Sequence, residues 1–216
     1  MKKKLLGIMF CFAAAFSLSL GAFAKLSMQQ NDYLLRVESI NQQAIRDLKI
    51  QEKNRTGDLD LEYLKHLKSH YKLTIQYAQN EIQYGANDKM ISLAQDIVKN
   101  KKETLKQIET LLKALEKEPR EDVILEASYL ATYEDIYQKL VDSIRPREEA
   151  EKLIDRVGVD RHFLGCMITQ HEFGLRLTSA VRAFTKSEKI LELASELDQQ
   201  GMTRLEKLYE TANTNE

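Results

Sequence analysis

The fold is decided by residues 60–87, which have the sequence DLEYLKHLKSHYKLTIQYAQNEIQYGAN. Apolar residues recur at helical spacing along this segment, as expected of an α-helix that packs one face against a core. Gly85, Ala86 and Asn87 then end this helix and supply an N-cap for the next one. Because the loop is short, the two helices are predicted to form an antiparallel hairpin.

The same helical spacing continues on both sides of this hairpin. Only two prolines and eight glycines occur in the chain, and no alternating strand pattern is present. We therefore predict an all-α protein. Its predicted features are helices at about 28–52, 60–84, 88–112 and 121–144, a short helix from Pro146 to Val157, a break at 158–160, helices at about 161–184 and from 188 onward, and caps at Asp60, Asn87, Asp160 and Ser187.

The second half of the chain repeats the pattern of the first half. At a constant offset of 100 residues the matched pairs are Asp60 with Asp160, Leu64 with Leu164, Asn87 with Ser187, Leu93-Ala94 with Leu193-Ala194, and Leu105 with Leu205. Caps, apolar stripes and loop keep this register without a gap. We therefore predict two duplicated hairpin units, at residues 25–118 and 119–216, that share one apolar core about a pseudo-twofold axis.

The first 24 residues are predicted to be a cleaved secretory signal peptide. Basic residues 2–4 precede an apolar run at 5–20, and residues 22–24 have the small-x-small pattern of a cleavage site. The run is shorter than the roughly 20 residues that span a bilayer, so an uncleaved anchor is the less favoured alternative. We expect a periplasmic protein with no stable membrane insertion.

Charge and cysteine content narrow the possible partners. Loss of the leader would change the formal charge from −1 to about −4, which argues against nucleic acid as a partner. The mature chain would keep a single cysteine, Cys166, so no intramolecular disulfide is expected. Stability must then come from the packing of about 190 residues.

Residues suited to metal chemistry are concentrated in two windows. All four histidines lie within residues 63–71 and 162–171. The first window places two imidazoles one helical turn apart, about 40° from each other, so they can share a metal ion. The second adds thiol, thioether and imidazole, a ligand set that suits Cu(I). The candidate metal ligands are His66, His70, Cys166, Met167 and His171.

Each candidate ligand also has a purely structural interpretation. Helical-wheel positions place His66 and His70 beside the apolar stripe, so an exposed polar face is the alternative to a metal site. Cys166 suits a small buried residue or a redox-active thiol. His171 and Met167 lie on the core-facing side, as a hydrogen-bonded core histidine and a core methionine would. One site collecting all five would need a third helix to bridge two faces.

The second hairpin resembles the DUF305 family. The matching residues are Phe163-Leu164, Met167-Ile168, His171, Leu193-Ala194 and Leu197. The resemblance extends over two degenerate tandem copies, at about 60–112 and 160–212, and implies a secreted, ferritin-like helical bundle. Members of the family have been linked to copper binding and metal tolerance, so the resemblance implies copper as the first candidate cofactor.

The family's polar residues are partly replaced in this chain. Where the family has a pair of adjacent histidines, the two copies have His70-Tyr71 and Gln170-His171. Where it has a glutamine, they have Lys101 and Gly201, and where it has a glutamate, they have Thr104 and Arg204. Each copy therefore keeps one histidine of the pair.

No common enzyme pattern is present. The chain contains no Glu-x-x-His element of di-iron proteins, no zinc-protease helix and no nucleotide-binding glycine loop. We expect a non-catalytic periplasmic protein that binds a transition metal, copper first, in metal tolerance or handling. The competing hypothesis is a helical protein-binding or structural module of the cell envelope whose metal ligands have decayed.

Overall fold

The computed structural model describes residues 26–214, except for the side chains of residues 48–52 and 214, and this range contains six α-helices. They are α1 (Met28–Lys53), α2 (Leu59–Tyr84), α3 (Asp88–Leu115), α4 (Val123–Asp142), α5 (Arg147–Phe184) and α6 (Glu188–Thr214). No strand occurs in the described range. The prediction of an all-α helical bundle is confirmed. The predicted signal peptide at residues 1–24 lies outside the described residues.

Two of the predicted helix boundaries show how local sequence sets the helix ends. The Asn87 side chain caps α3 by accepting hydrogen bonds from two first-turn amides. The predicted cap of α2 at Asp60 is wrong, because α2 begins at Leu59 and its cap is Asp58. Asp58 Oδ1 accepts bonds from the amides of Asp60, at 2.8 Å, and Leu61, at 3.2 Å. The side chain of Asp60 is thereby free to bond elsewhere.

The predicted break at residues 158–160 is a kink within α5, and the predicted cap at Asp160 is wrong because α5 continues through this residue. Gly158 has φ 82° and ψ 174°, a left-handed conformation that glycine adopts without a Cβ penalty. The short helix that follows Pro146 therefore runs directly into the long helix that ends at Phe184. The kink separates the part of α5 that packs in the second hairpin from the part that precedes it.

Helices α2 and α5 lie at the centre of the bundle. Helix α3 packs against α2, and α6 packs against α5, so both predicted hairpins are present. Helices α1 and α4 each contact both α2 and α5. The largest fully buried side chains include Tyr33, Tyr63, Tyr129 and Phe163. Neighbouring helices thus cover each of the two central helices on more than one face, whereas an apolar stripe alone predicts burial of a single face.

Two aspartates at equivalent positions tie each hairpin to the loop of the other. Asp60 accepts a 2.6 Å hydrogen bond from the Thr185 hydroxyl in the loop between α5 and α6. Asp160 accepts bonds from the amides of Ala86, at 3.1 Å, and Asn87, at 2.9 Å, in the loop between α2 and α3. If a rotation relates the two hairpins, each aspartate reaches the loop of the opposite hairpin in the same way. The observed pair of contacts therefore supports the predicted duplication. The unit boundaries at 25–118 and 119–216 stay a prediction.

A buried carboxyl lies against the second of these aspartates. Glu81 is 0% exposed. Burial and the neighbouring Asp160 carboxylate raise the pKa of Glu81 to about 9. Glu81 is therefore protonated at neutral pH. The backbone of Gly85 passes so close that a Cβ there would lie 2.6 Å from Oε1 of Glu81.

Gly85→Ala is expected to lower the free energy of unfolding by about 1–3 kcal/mol. The added methyl would meet both Oε1 and the backbone oxygen of Glu81, the latter at 2.7 Å. Gly165→Ala is the matched control, because a Cβ at this helical position meets no atom within 4 Å. The control should be neutral or stabilise by about 0.5–1 kcal/mol. Urea denaturation measures both, and equal effects would contradict the close approach at Gly85.

Glu81→Gln is expected to change how stability depends on pH. The folded-state pKa of Glu81 is raised, so the stability that this group contributes to the fold is fully present below about pH 4.5. That stability is lost as the pH rises towards 9. In this window the group lowers the free energy of unfolding by up to about 1.4 kcal/mol per pH unit. The Glu81→Gln protein should lack this slope.

Urea denaturation between pH 5 and pH 9 measures the slope. Glu103→Gln removes an exposed carboxyl from α3 and should leave the dependence unchanged. If Glu81→Gln and the unchanged protein lose stability in parallel as the pH rises, Glu81 is ionised in the fold and the assignment is wrong.

Candidate functional site

The first histidine window lies inside the protein. His66 is 3% exposed and His70 is 5% exposed. The alternative of an exposed polar face is therefore wrong for this pair. Residues of α1 and α4 cover this side of α2. The helical wheel located the apolar stripe of α2, but it contained no information about helices that pack beside that stripe.

His66 is held by two tyrosines of α4. Its Nδ1 lies 3.1 Å from the hydroxyl of Tyr129, and its ring stacks on Tyr133 with centroids 3.5 Å apart and planes 2° from parallel. Burial, with a smaller effect of Lys65, lowers the pKa of His66 to about 3. The imidazole is neutral at physiological pH. If Nδ1–H donates to Tyr129, the Nε2 lone pair is left for a ligand.

His70 lies one helical turn further along α2, against α5. Its ring packs on Phe173 with centroids 5.0 Å apart. A Cβ at Gly174 would lie 3.1 Å from Nε2 of His70, so a glycine suits this contact. Nδ1 of His70 is buried and has no hydrogen-bond partner within residues 26–214. Burial lowers the pKa of His70 well below its ordinary value, so this imidazole is neutral too.

The two imidazoles line a single cavity. It has a volume of about 310 Å³ and is bounded by α1, α2, α4 and Phe173 of α5. A cavity of this size holds several water molecules or a hydrated ion. Its other polar lining residues include Gln43, Asp47, Ser69, Lys72 and Gln76. His66 and His70 are thus the pair of candidate ligands that the fold presents to one accessible space.

The two sequence windows meet at a second and smaller cavity. His70 and His171 both line this space of about 20 Å³ at the centre of the bundle. Nδ1 of His171 donates a 2.8 Å hydrogen bond to the backbone oxygen of Met167. This leaves Nε2 of His171 buried and without a partner in the described part of the chain. Burial lowers the pKa of His171 to about 4.

The two sulfur candidates lie elsewhere. The Cys166 thiol is 3.7 Å from Nδ1 of His162 and lines a separate cavity of about 70 Å³. Burial raises the pKa of Cys166 to about 12, so the group is a thiol rather than a thiolate at neutral pH. Met167 is fully buried in the apolar core. Cys166, Met167 and the His66/His70 pair therefore do not share one site.

No three histidine, cysteine, aspartate or glutamate side chains lie close enough to bind one metal ion together within residues 26–214. The structure brings together two pairs of the candidates, His66 with His70 and His70 with His171, whereas Cys166 and Met167 share no cavity with the others. The sequence did not predict that Tyr129 and Tyr133 pack against His66. Their spacing of four on one predicted helix, continued by Tyr137, was the available signal.

Fold and site together define an all-α helical bundle with buried, neutral histidines on its central helices. The chain matches the family described as domain of unknown function (DUF305) over residues 60–211. This protein belongs to the DUF305 family, and the resemblance seen in the sequence is confirmed. One continuous match includes both hairpins.

No curated protein and no solved structure matches the chain. Among the helices of residues 26–214, none is both long and apolar enough to span a bilayer.

Proposed function

We propose that this protein is a non-catalytic protein of the periplasm that binds a transition-metal ion, copper first, through His66 and His70. One observation supports the proposal most directly. Two imidazoles one helical turn apart line the same 310 Å³ cavity. Both have lowered pKa values, and the neutral imidazole is the form that binds a metal.

The shape of the site favours exchange of the metal over permanent storage. Structural metal sites generally surround the ion with four protein ligands. Here two histidines line a cavity whose other lining residues include Gln43 and Asp47. Imidazole suits copper and zinc, and positions not occupied by imidazole would remain for water or a second protein. Such a site suits metal handling or tolerance.

Three of the five predicted ligands are outside this proposal. Cys166 lines another cavity and Met167 is fully buried in the core. His171 shares the 20 Å³ cavity with Lys101, whose positive charge opposes a metal cation at that point. The proposed site therefore uses two of the five ligands that the sequence indicated.

The competing function is a helical module that binds a protein partner and has lost its metal ligands. One feature favours it. Lys101 and Arg204 occupy positions where the family pattern has a glutamine and a glutamate, so these two positions carry cations in place of metal-binding groups. A direct titration distinguishes the two functions.

Titration of the purified protein with Cu(I) and Cu(II), with Zn(II) in parallel, is expected to show saturable binding of one equivalent of copper. His66→Gln combined with His70→Gln should weaken binding at least about tenfold, because both imidazoles are removed while buried volume is largely kept. Isothermal titration or competition with a chelator of known affinity gives the dissociation constants.

His162→Gln is the matched control, because it also removes a buried histidine but one that lines a different cavity. It should leave copper binding unchanged. Equal losses in the control and the double variant would exclude the His66/His70 site. Absence of saturable binding of both copper and zinc would exclude the metal function and leave the protein-binding module.

A further inference from the structure

Three buried polar side chains line the small cavity at the centre of the bundle. The cavity has a volume of about 20 Å³, and its lining includes His70 of α2 together with Gln170 and His171 of α5. Each of these side chains has one buried atom with no hydrogen-bond partner in the described part of the chain: Nδ1 of His70, Oε1 of Gln170 and Nε2 of His171. None of the three residues is more than 5% exposed. One space therefore collects three polar atoms that have lost contact with solvent.

The three side chains are near enough to affect one another. Burial lowers the pKa of His70 most, and the charges of Lys101 and His171 lower it further. The Gln170 side chain raises this pKa, as an acceptor oxygen beside the ring does. A hydrogen-bond effect acts only at short range, so Gln170 faces the His70 ring without having the geometry of a direct hydrogen bond to it. A small molecule between them would complete the contact.

The donors and acceptors around the cavity match one water molecule. Because Nδ1 of His171 donates to the Met167 carbonyl, Nε2 of this neutral ring is a hydrogen-bond acceptor. Oε1 of Gln170 is an acceptor as well. A water molecule has two protons, one for each of these atoms, and its oxygen accepts a third bond from Nδ1–H of His70. All three buried atoms are then satisfied, which removes the cost of burying them without a partner.

The size and charge of the cavity favour water over other occupants. One water molecule needs ~10–15 Å³ of such space, so a cavity of about 20 Å³ holds one molecule and not two. An anion would bring further acceptors to two atoms that need a donor. A metal cation would face the charge of Lys101, which lines the same cavity. A single neutral molecule with two donors and one acceptor fits all of these conditions.

We propose that His70, Gln170 and His171 form a binding site for one internal water molecule that bridges the two central helices. The water donates to Oε1 of Gln170 and to Nε2 of His171, and it accepts from Nδ1–H of His70. The bridge joins α2 to α5 and holds the His70 proton on Nδ1. Because the site needs no metal, it is tested with protein that a chelator has freed of metal ions, and its outcome is independent of copper binding.

Nuclear magnetic resonance of the His70 and His171 rings in metal-free protein is the first test. Both rings should carry their proton on Nδ1, and both should show nuclear Overhauser effects to a bound water molecule. A water molecule cannot donate to three acceptors, so a His70 ring with its proton on Nε2 would overturn the proposal. Rings without any effect from water would also overturn it, and would indicate a direct bond from His70 to Gln170.

Magnetic relaxation dispersion of the water oxygen nucleus counts the water molecules that a protein holds for longer than its tumbling time. Gln170→Met removes one acceptor with little change in volume and should lower this count by one. Gln107→Met is the matched control, because it makes the same change at an exposed position of α3 and should keep the count. An equal count in Gln170→Met and the unchanged protein overturns the proposal. The resonance test needs no variant, so it decides the matter even if Gln170→Met does not fold.

Discussion

The central position of α2 and α5 constrains the rest of the structure. Other helices cover both of them, so the polar side chains that they carry must be satisfied inside the protein. Asp60 and Asp160 meet this requirement by bonding the opposite loops, which fixes one hairpin against the other. His66 meets it through Tyr129. The hydrogen bonds of these buried polar groups therefore help to fix how the helices pair.

The features that the sequence predicted correctly are those encoded locally. Apolar periodicity located the helices because each one packs an apolar stripe against the core. The α2–α3 loop was predictable from Gly85 and Asn87, since a helix stop and a cap occupy adjacent positions. The Asp60 cap failed for an equally local reason: Asp58, two residues earlier, has the same capping chemistry. Propensity does not distinguish between two suitable caps so close together.

The features that the sequence did not predict depend on which helices become neighbours. The repeat predicted a shared core but not where the two windows lie, and the structure shows that His70 and His171 line one cavity. It did not show that α4 would cover His66, because the tyrosines responsible are remote in sequence. Likewise, the substitution at Lys101 is visible in the chain, but its contact with the ring of Tyr71 is a property of the packed bundle. Contacts between pairs of helices decided both arrangements.

Nuclear magnetic resonance titration of the four histidine rings tests most directly whether α2 and α5 are enclosed. Burial lowers the pKa to about 3 at His66, to about 4 at His162 and His171, and in the same direction at His70. The account predicts that imidazole nitrogen shifts of all four rings stay at neutral values between pH 5 and pH 8. A ring of the His66/His70 pair that titrates near pH 6.5 would show that this side of α2 faces water, which would contradict the account.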